Sequence, residues 1–174
     1  MASSVEPLAL GRVIGDVIDM FVSLVGMYVY YGPRRVSNGC NINPSTAVNP
    51  PNIQITGDPD DFYTLVMVDP DAPSPSAPTH REWVHWMVAD IPGGSTASRG
   101  KEVLQYMAPE PPVGIHRFVF ILFSQNKTSD IPVMPPPARH NFRTRDFASQ
   151  YGFGLPVAGV YFNARKEPTK KKRR

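Results

Sequence analysis

Two unbroken apolar runs dominate the pattern of hydrophobic and polar positions along the chain. Residues 62–68 and 118–123 consist of aliphatic and aromatic side chains with almost no polar interruption. Because they are too short for a typical helix, these runs predict strands buried on both faces of a sheet. Shorter stretches bounded by Gly, Pro or Asn predict further strands at residues 24–31, 36–40, 51–56, 83–91 and 157–163. Residues 95–112 predict mostly loop.

Two segments show the spacing of a helix. Apolar residues recur at helical intervals within residues 8–21, interrupted by two glycines, and predict one short helix lying on the sheet. A helix over residues 144–151 is predicted more clearly. Thr144 suits its N-cap, Asp146 its first turn and Gly152 its end. Because strands and helices do not alternate, the chain predicts a mostly β domain, largely antiparallel, with a few short helices at its edges.

A stiff polar turn follows the first buried run. Asp69 and Asp71 are separated by Pro70 and followed by further prolines, so the chain cannot continue the sheet there. Two carboxylates at the end of a buried strand are costly unless a counter-charge or a ligand satisfies them. We predict that His85 and His116, which lie in or at the start of other strands, meet these two acids in one cavity.

The strand predicted at residues 83–91 places a histidine among apolar side chains. With the period of two that strands follow, Trp83, His85 and Met87 are expected on one face. The residues between them are expected on the opposite face.

Three interpretations of the acid and imidazole cluster remain open from the residues alone. A pocket for a phosphate-type anion needs several hydrogen-bond donors around a small cavity. A metal site with two His ligands and a carboxylate needs the same residue types. A satisfied structural network needs no ligand at all. The sequence favours the anion pocket slightly over the metal, and it contains neither a glycine-framed Ser nucleophile nor a glycine-rich phosphate loop.

Length and charge predict one domain followed by a basic tail. The chain has 174 residues, enough for a single core. Residues 1–164 carry a net charge of −3, and residues 165–174 carry a net charge of +6. Because the domain itself is negatively charged, it is poorly suited to bind DNA phosphates directly. Three interpretations of the tail are open: it is a nuclear-localisation patch, it contacts nucleic acid or anionic lipid, or it is a solubilising end. Its basic cluster comprises Lys170, Lys171, Lys172, Arg173 and Arg174.

Other sequence features favour a reducing compartment. Cys40 is the single cysteine, so no disulfide can form within the chain. No apolar run reaches the ~20 residues that a membrane span needs, and the first residues show no secretory signal pattern.

Three motifs resemble the signature regions of the phosphatidylethanolamine-binding protein family. They lie at residues 69–75, 81–86 and 114–117, within a similarity that runs from about residue 7 to residue 163. The chain is most similar to the plant flowering-regulator branch of that family. Residues 93–94 and 98–102, and the ending at residues 166–168 with its basic tail, are most like the Mother-of-FT subgroup.

The resemblance implies a large antiparallel sheet flanked by a smaller sheet and short helices. It also implies an anion pocket formed by Asp69, Pro70, Asp71, His85 and His116, with a cis peptide at the Pro70 turn. The expected ligand is a phosphate, a sulfate or a phospholipid headgroup. Neither a catalytic residue nor a bound metal is implied.

The resemblance further implies a regulatory binding protein. Plant members act as transcriptional co-regulators that reach bZIP factors through 14-3-3 proteins, and the Mother-of-FT subgroup is associated with seed germination, dormancy, abscisic acid and gibberellin. We therefore expect a monomeric, non-enzymatic protein of the nucleus and cytoplasm that does not bind DNA directly. The alternatives are a phospholipid carrier, a kinase or protease inhibitor, and a metal-dependent hydrolase at the Asp and His cluster.

Several residues depart from the patterns of that branch. At the pocket entrance the chain has Trp83 where flowering activators carry Tyr and repressors carry His. His140 stands where activators carry Gln. These two residues therefore identify the chain neither as a flowering activator nor as a flowering repressor.

A second group of departures concerns the residues aligned with the 14-3-3 contacts of flowering activators. Asp60, Arg99 and Thr128 replace Arg, Phe and Arg, and only Pro92 is retained. An acid in place of a cation disfavours an acidic partner. These departures favour a direct bZIP contact, or a different adaptor, over the 14-3-3 route.

Overall fold

Nine strands and three short helices make up the computed structural model, which describes residues 4–125 and 131–168. The strands are β1 (Met27–Tyr31), β2 (Arg34–Arg35), β3 (Cys40–Asn41), β4 (Asn52–Ile55), β5 (Phe62–Asp69), β6 (Trp83–Pro92), β7 (Lys101–Leu104), β8 (His116–Ser124) and β9 (Ala158–Ala164). The helices are α1 (Glu6–Leu10), α2 (Val13–Asp16) and α3 (Thr144–Tyr151), with 3-10 turns at Pro44–Thr46 and Ala97–Arg99.

The strands form a large and a small sheet. The large sheet has six strands in the order β3-β9-β8-β5-β6-β7, and the small sheet has three in the order β2-β1-β4. Every pairing is antiparallel except that of β3 with β9, which is parallel. The mostly β, two-sheet fold expected from the sequence is confirmed.

Both faces of the large sheet are covered, and this explains the unbroken apolar runs at its centre. One face packs on the small sheet and forms the inner core, which includes Leu65, Met67 and Phe120. The other face packs on α3 and the N-terminal segment and forms the outer core, which includes Val66 and Ile121. Since β5 and β8 contribute side chains to both cores, an alternating polar pattern would have buried polar groups in one of them.

The N-terminal helix differs from the single helix that the spacing predicts. α1 ends at Leu10, Arg12 has a left-handed backbone (φ 58°) just before α2, and α2 is one turn in which Gly15 departs from helical angles. Gly11 lies where a Cβ atom would be 2.2 Å from the Tyr161 hydroxyl, so the chain bends closely against β9. The apolar residues of this segment, such as Leu8 and Phe21, still reach the outer core.

The predicted helix at residues 144–151 is confirmed with its end at Gly152, which adopts a left-handed conformation. The N-cap prediction is wrong. Arg143 occupies that position without a side-chain capping bond, and Thr144 instead directs its hydroxyl to Glu82.

Two strand predictions need correction. Residues 36–40 do not form one strand, because β2 ends at Arg35 and β3 begins only at Cys40. β7 lies within the predicted loop at residues 95–112; it is a four-residue edge strand that carries little apolar signal.

A bulge in β6 changes the predicted faces of that strand. Met67 pairs with Trp86 and Val68 pairs with Val84, so His85 is an extra residue between the two pairs. As a result Val84 joins Met87 in the outer core, and Trp86 lies in the inner core.

Within residues 4–125 and 131–168, no helix combines the length and the apolar composition that crossing a bilayer requires.

Candidate functional site

A cavity of about 210 Å³ opens where β5 ends and β6 and β8 begin. Asp69 is the last residue of β5 and pairs with Trp83, the first residue of β6, while His116 is the first residue of β8. The lining comprises Asp69, Ala72, Pro73, His80, Trp83, His85, Met107, Ala108, Glu110, Pro111, Pro112 and His116. The fold therefore brings together three of the four predicted acid and imidazole side chains.

Asp69 and His116 form a buried pair at the base of this cavity. The Nδ1 atom of His116 lies 2.7 Å from Asp69 Oδ2, and its Nε2 atom lies 2.8 Å from the carbonyl oxygen of Val113. Both neighbours are acceptors, so the ring satisfies both only as a doubly protonated imidazolium. Burial alone lowers the pKa of His116, but the hydrogen bond and charge of Asp69 outweigh it and raise the pKa above its usual value.

His85 is in the opposite protonation state. Its Nδ1 atom lies 2.7 Å from the carbonyl oxygen of Met107, which makes Nδ1 the donor and leaves the lone pair on Nε2. Burial lowers the pKa of His85 and outweighs the bond to Met107 and the charge of Asp69. The ring packs edge-on against Phe118 with 5.3 Å between centroids, so its orientation is fixed.

Asp71 does not line the cavity, contrary to the prediction. Its carboxylate accepts two hydrogen bonds from the Arg117 guanidinium, at 2.8 and 3.0 Å, and one from the Arg117 backbone at 2.8 Å. Burial alone raises the pKa of Asp71, but Arg117, with the charge of Arg81, holds it below its usual range. Because β5 ends at Asp69, the strand alternation no longer applies, and two acids two residues apart face opposite sides of the sheet.

The ion pairs of Asp71 extend to the N-terminal segment. Arg117 Nη2 lies 2.9 Å from Asp16 Oδ2, and Arg117 Nη1 donates to the carbonyl oxygen of Gly11 at 2.9 Å. Arg81 lies 3.4 Å from Asp71 and 3.5 Å from Asp16. Asp71 is therefore part of a structural network that holds residues 11–16 on the sheet.

The turn itself also differs from expectation. Pro70 does not line the cavity; its carbonyl oxygen accepts a hydrogen bond from Arg81 Nε. The cis peptide bond is between Ala72 and Pro73 rather than at Pro70, and a second joins Arg81 and Glu82.

Glu82 is a buried acid that the sequence reading missed. It accepts hydrogen bonds from the backbone N–H and the hydroxyl of Thr144, at the start of α3. Burial raises the pKa of Glu82 to about 7. The hydrogen bonds from Thr144 and the charges of Arg145 and Arg81 lower the pKa, but burial outweighs them. This carboxyl group joins β6 to α3 beside the cavity without lining it.

The charges of the cavity differ from those expected for a simple anion pocket. Its lining carries two carboxylates, on Asp69 and Glu110, and one cation, the imidazolium of His116, and it contains no Lys or Arg among the described residues. The protons of His116 are already donated within the protein, and the lone pair of His85 is an acceptor. No three His, Cys, Asp or Glu side chains in the described ranges converge as a metal-binding group.

Comparison with known proteins places the chain among its relatives. The model of the phosphatidylethanolamine-binding protein family matches residues 33–162. The chain belongs to this family. It is 51% identical over 174 residues to the protein MOTHER of FT and TFL1 homolog 2 of Oryza sativa subsp. japonica, covering 99% of this chain and 100% of that one. It is 48% identical over 170 residues to TERMINAL FLOWER 1 of Arabidopsis thaliana, covering 97% and 96%.

Solved structures agree with the family fold. The carboxypeptidase Y inhibitor, in the crystal structure with its cognate proteinase, superposes with a TM-score of 0.85 over 94% of this chain and 95% of that one. The phosphatidylethanolamine-binding protein from Plasmodium vivax superposes with a TM-score of 0.80 over 95% and 99%. At 24% identity each, these two likenesses establish the fold.

Trp83 forms a cluster of three rings with His80 and His140, whose own centroids are 5.9 Å apart. Its centroid is 6.0 Å from that of His80 and 6.4 Å from that of His140. Trp83 lines the cavity and donates Nε1–H to Met107 Sδ at 3.4 Å, whereas His140 is exposed and lines a neighbouring groove. Trp83 therefore lines the cavity, and His140 lies beside it outside the lining.

The predicted partner contacts lie at the other end of the large sheet. Asp60 is exposed in the turn before β5, and Pro92 ends β6, where it pairs with Phe62. Arg99 is exposed in the 3-10 turn that follows β6. Thr128 is outside the described residues.

The basic cluster of the tail, residues 170–174, also lies outside the described residues. The chain just before it is anchored, because Glu167 accepts hydrogen bonds from the Ser45 backbone at 2.5 Å and from the Ser45 hydroxyl at 3.0 Å.

Glu110, Met107 and His80 are cavity residues that sequence reasoning missed. Glu110 lies in a proline-rich loop with no periodic pattern, so no local signal places it beside His116. His80 is next to a recognised motif, and that proximity was the single available hint.

Proposed function

We propose that this chain is a non-enzymatic regulatory binding protein that co-regulates transcription in plant development. The observation that carries the proposal is its end-to-end similarity to the rice MOTHER of FT and TFL1 homolog, supported by TERMINAL FLOWER 1 and FLOWERING LOCUS T of Arabidopsis thaliana. Seed germination, dormancy, and responses to abscisic acid and gibberellin are the processes in which we expect it to act.

The site chemistry supports a binding role over catalysis. Both protons of His116 are held by acceptors, and Asp71 is tied to Arg117. A general acid or base needs a proton or lone pair directed at a substrate. The cavity groups with that freedom include His85 and the exposed Glu110, and we assign them to the binding of a headgroup.

The ligand in this proposal is a phosphate or a phospholipid headgroup held in the cavity. A volume of about 210 Å³ is below the ~300–1,000 Å³ of common ligand pockets, which suits a headgroup without its acyl chains. Titration with phosphoethanolamine, followed through the NMR signals of Trp83 and His85, should show saturable shifts. Absence of any shift would remove the ligand from the proposal.

The partner is a bZIP-type transcription factor, bound directly or through a 14-3-3 protein, at the surface that carries Asp60, Pro92 and Arg99. The protein should be captured with such a factor from seed extract, and Arg99→Glu should reduce that capture. Arg165→Glu makes the same charge change at an exposed residue just after β9 and is the matched control. If mass spectrometry finds neither a bZIP nor a 14-3-3 protein with the wild type, the co-regulator proposal is wrong.

We also propose that the protein occupies nucleus and cytoplasm and that its basic tail promotes nuclear import. Since the chain is only 19.3 kDa and can diffuse, the test needs a fusion too large to pass passively. Deleting residues 170–174 from that fusion should lower its nuclear fraction. An unchanged distribution would assign the tail another role.

A further inference from the structure

Two of the four histidines have ring nitrogens with no hydrogen-bond partner in the part of the chain that the structure describes. They are His80, which is half-buried and lines the cavity, and His140, which is exposed and lines the neighbouring groove beside α3. The other two, His85 and His116, already bond backbone or carboxylate groups through their rings. His80 and His140 therefore keep their nitrogens available for a ligand from solution.

The distance between these two rings fits two imidazoles that share one metal ion. Their centroids are 5.9 Å apart. A ring nitrogen lies about 1.1 Å from its centroid, and a bound Zn²⁺ lies about 2.0–2.1 Å beyond the nitrogen. For N–metal–N angles from about 90° to about 180°, two imidazoles on one ion then have centroids roughly 4.5–6.4 Å apart. The observed distance is within that range.

Backbone hydrogen bonds hold the two histidines beside each other. Asn141 has a left-handed backbone (φ 57°), and its N–H donates to the carbonyl oxygen of His80 at 3.1 Å. Its side-chain amide donates to the carbonyl oxygen of Thr79 at 2.9 Å. Next to this contact, Glu82 and Phe142 exchange two backbone hydrogen bonds of 2.9 Å each. Because the fold has already ordered both segments, an ion that joins the rings has a smaller ordering cost to overcome.

The ligand types identify the class of ion. No three His, Cys, Asp or Glu side chains converge within residues 4–125 and 131–168, so water completes the coordination of any ion held by the two rings. Imidazole nitrogen suits Cu²⁺, Ni²⁺ and Zn²⁺, and the general order of affinities among these ions places Cu²⁺ first. Ca²⁺ and Mg²⁺ require oxygen ligands and do not fit.

The charges on either side of the two rings admit a cation. The cavity lining carries the carboxylates of Asp69 and Glu110 and the imidazolium of His116. The groove lining carries one acid, Asp146, and one cation, Arg143. Since acids outnumber cations across the two linings, a divalent ion at their boundary does not meet a net positive charge.

We propose that His80 and His140 form a two-histidine site for a divalent transition-metal ion, with Cu²⁺ bound most tightly. The bound ion links a residue of the cavity lining to a residue of the groove lining. Because the unfolded chain does not hold the two rings together, binding stabilises the folded protein. This inference goes beyond the proposed function and depends on neither the headgroup nor the transcription factor.

Titration of the tag-free protein with CuCl₂, followed by tryptophan fluorescence, tests the site. The centroid of Trp83 is 6.0 Å from that of His80 and 6.4 Å from that of His140, so bound Cu²⁺ should quench its emission. The wild type should saturate at about one ion per chain. His80→Gln and His140→Gln should each weaken binding roughly tenfold or more, because losing even a supporting partner of a metal ligand costs about 10–100-fold in affinity.

Asp146→Asn is the matched control for this titration. Asp146 is exposed in the same groove as His140 and belongs to no metal-binding group among the described residues. This variant should bind Cu²⁺ like the wild type. Unchanged affinity in both Gln variants, or an equal loss in Asp146→Asn, would place the ion elsewhere and overturn the proposal.

Titration with Zn²⁺ identifies the ligands directly. The ring ¹⁵N signals of His80 and His140 should shift on binding, whereas His85 and His116 should keep theirs because their hydrogen bonds within the protein are retained. Zn²⁺ should also raise the Tm of the wild type and leave the Tm of both Gln variants unchanged. Ring signals of His80 and His140 that stay constant in excess Zn²⁺, or an equal rise of Tm in all three proteins, would contradict the site.

Discussion

The two ends of β5 and β6 differ in burial and in charge. At the end where Asp69 pairs with Trp83, the carboxylate is buried and bonded to His116. At the end where Phe62 pairs with Pro92, the turns expose acids to water. The first end is a closed polar interior with a small opening, and the second is a charged surface.

This difference separates the proposed ligand cavity from the proposed partner surface. The eight residues of β5 span about 25 Å, more than twice the Debye length of about 10 Å at 0.1 M salt. Charge changes at one end should therefore leave the other nearly unaffected, and their effects should add.

The largest expected contrast is in stability. Asp71→Ala leaves Arg117 without its buried acid and should lower the free energy of unfolding by about 3 kcal/mol. Asp60→Ala at the exposed end should cost less than about 0.5 kcal/mol. Urea denaturation of both variants and of the double variant measures the costs and their additivity. Equal costs for the two single variants would contradict the contrast.

We also expect the pH dependence of stability to arise from a titrating group at the cavity end of the sheet. The folded-state pKa of Glu82, about 7, is above its ordinary value of 4.5, so the folded protein binds this proton more tightly than the unfolded chain does. The stabilisation is complete below about pH 4.5 and is lost as the pH rises through 7, by up to about 3 kcal/mol.

Glu82→Gln keeps a carbonyl acceptor for Thr144 and cannot titrate. Denaturation of both proteins from pH 4.5 to 8.5 should show the wild type losing stability relative to this variant. Parallel curves would show that Glu82 does not titrate in this range.

A smaller effect is expected from the polar network at the exposed end. Gln125 accepts hydrogen bonds from the Thr64 hydroxyl at 2.7 Å and from the Asp90 backbone at 2.6 Å, and donates to Asp90 Oδ1 at 2.8 Å. Gln125→Ala leaves the buried Thr64 hydroxyl without that acceptor and should cost about 1–2 kcal/mol. Thermal unfolding measures this cost, and a change of Tm no larger than that of Asp60→Ala would contradict it.

The smallest effect concerns association rates. Asp60→Arg reverses an exposed charge and should raise the association rate with an acidic partner such as a 14-3-3 protein by about tenfold at low salt. Surface plasmon resonance measures the rate, with Glu6→Arg as the control for net charge. An equal gain in the control would show that the position of Asp60 is irrelevant.

Sequence patterns predicted the centre of the fold because the signals there are local. The apolar runs of β5 and β8 need burial on both faces, and Gly152 ends α3 by its own backbone preference. Edge strand β7 escaped prediction because an edge needs only partial burial. The break at Arg12 escaped because close packing against Tyr161, a distant residue, bends the chain there.

Within the site, the sequence identified which residues matter better than it identified the side of the sheet that each side chain faces. Asp69, His85 and His116 were predicted together and do line one cavity. The face of Asp71 depends on where β5 ends, and the position of His85 depends on a bulge in the pairing with β5; neither is a local property. Glu110, which changes the charge of the opening, reaches the site through a loop whose course is set by tertiary packing.

Neighbouring residues His116 and Arg117 serve opposite sides of a single strand. The imidazole faces the cavity, and the guanidinium fastens Gly11 and Asp16 on the far side. Redesign of ligand preference can therefore proceed at the cavity wall without loosening the amino-terminal segment, provided that Arg117 is kept. Natural variation at these two adjacent positions should accordingly follow different pressures, one chemical and the other architectural.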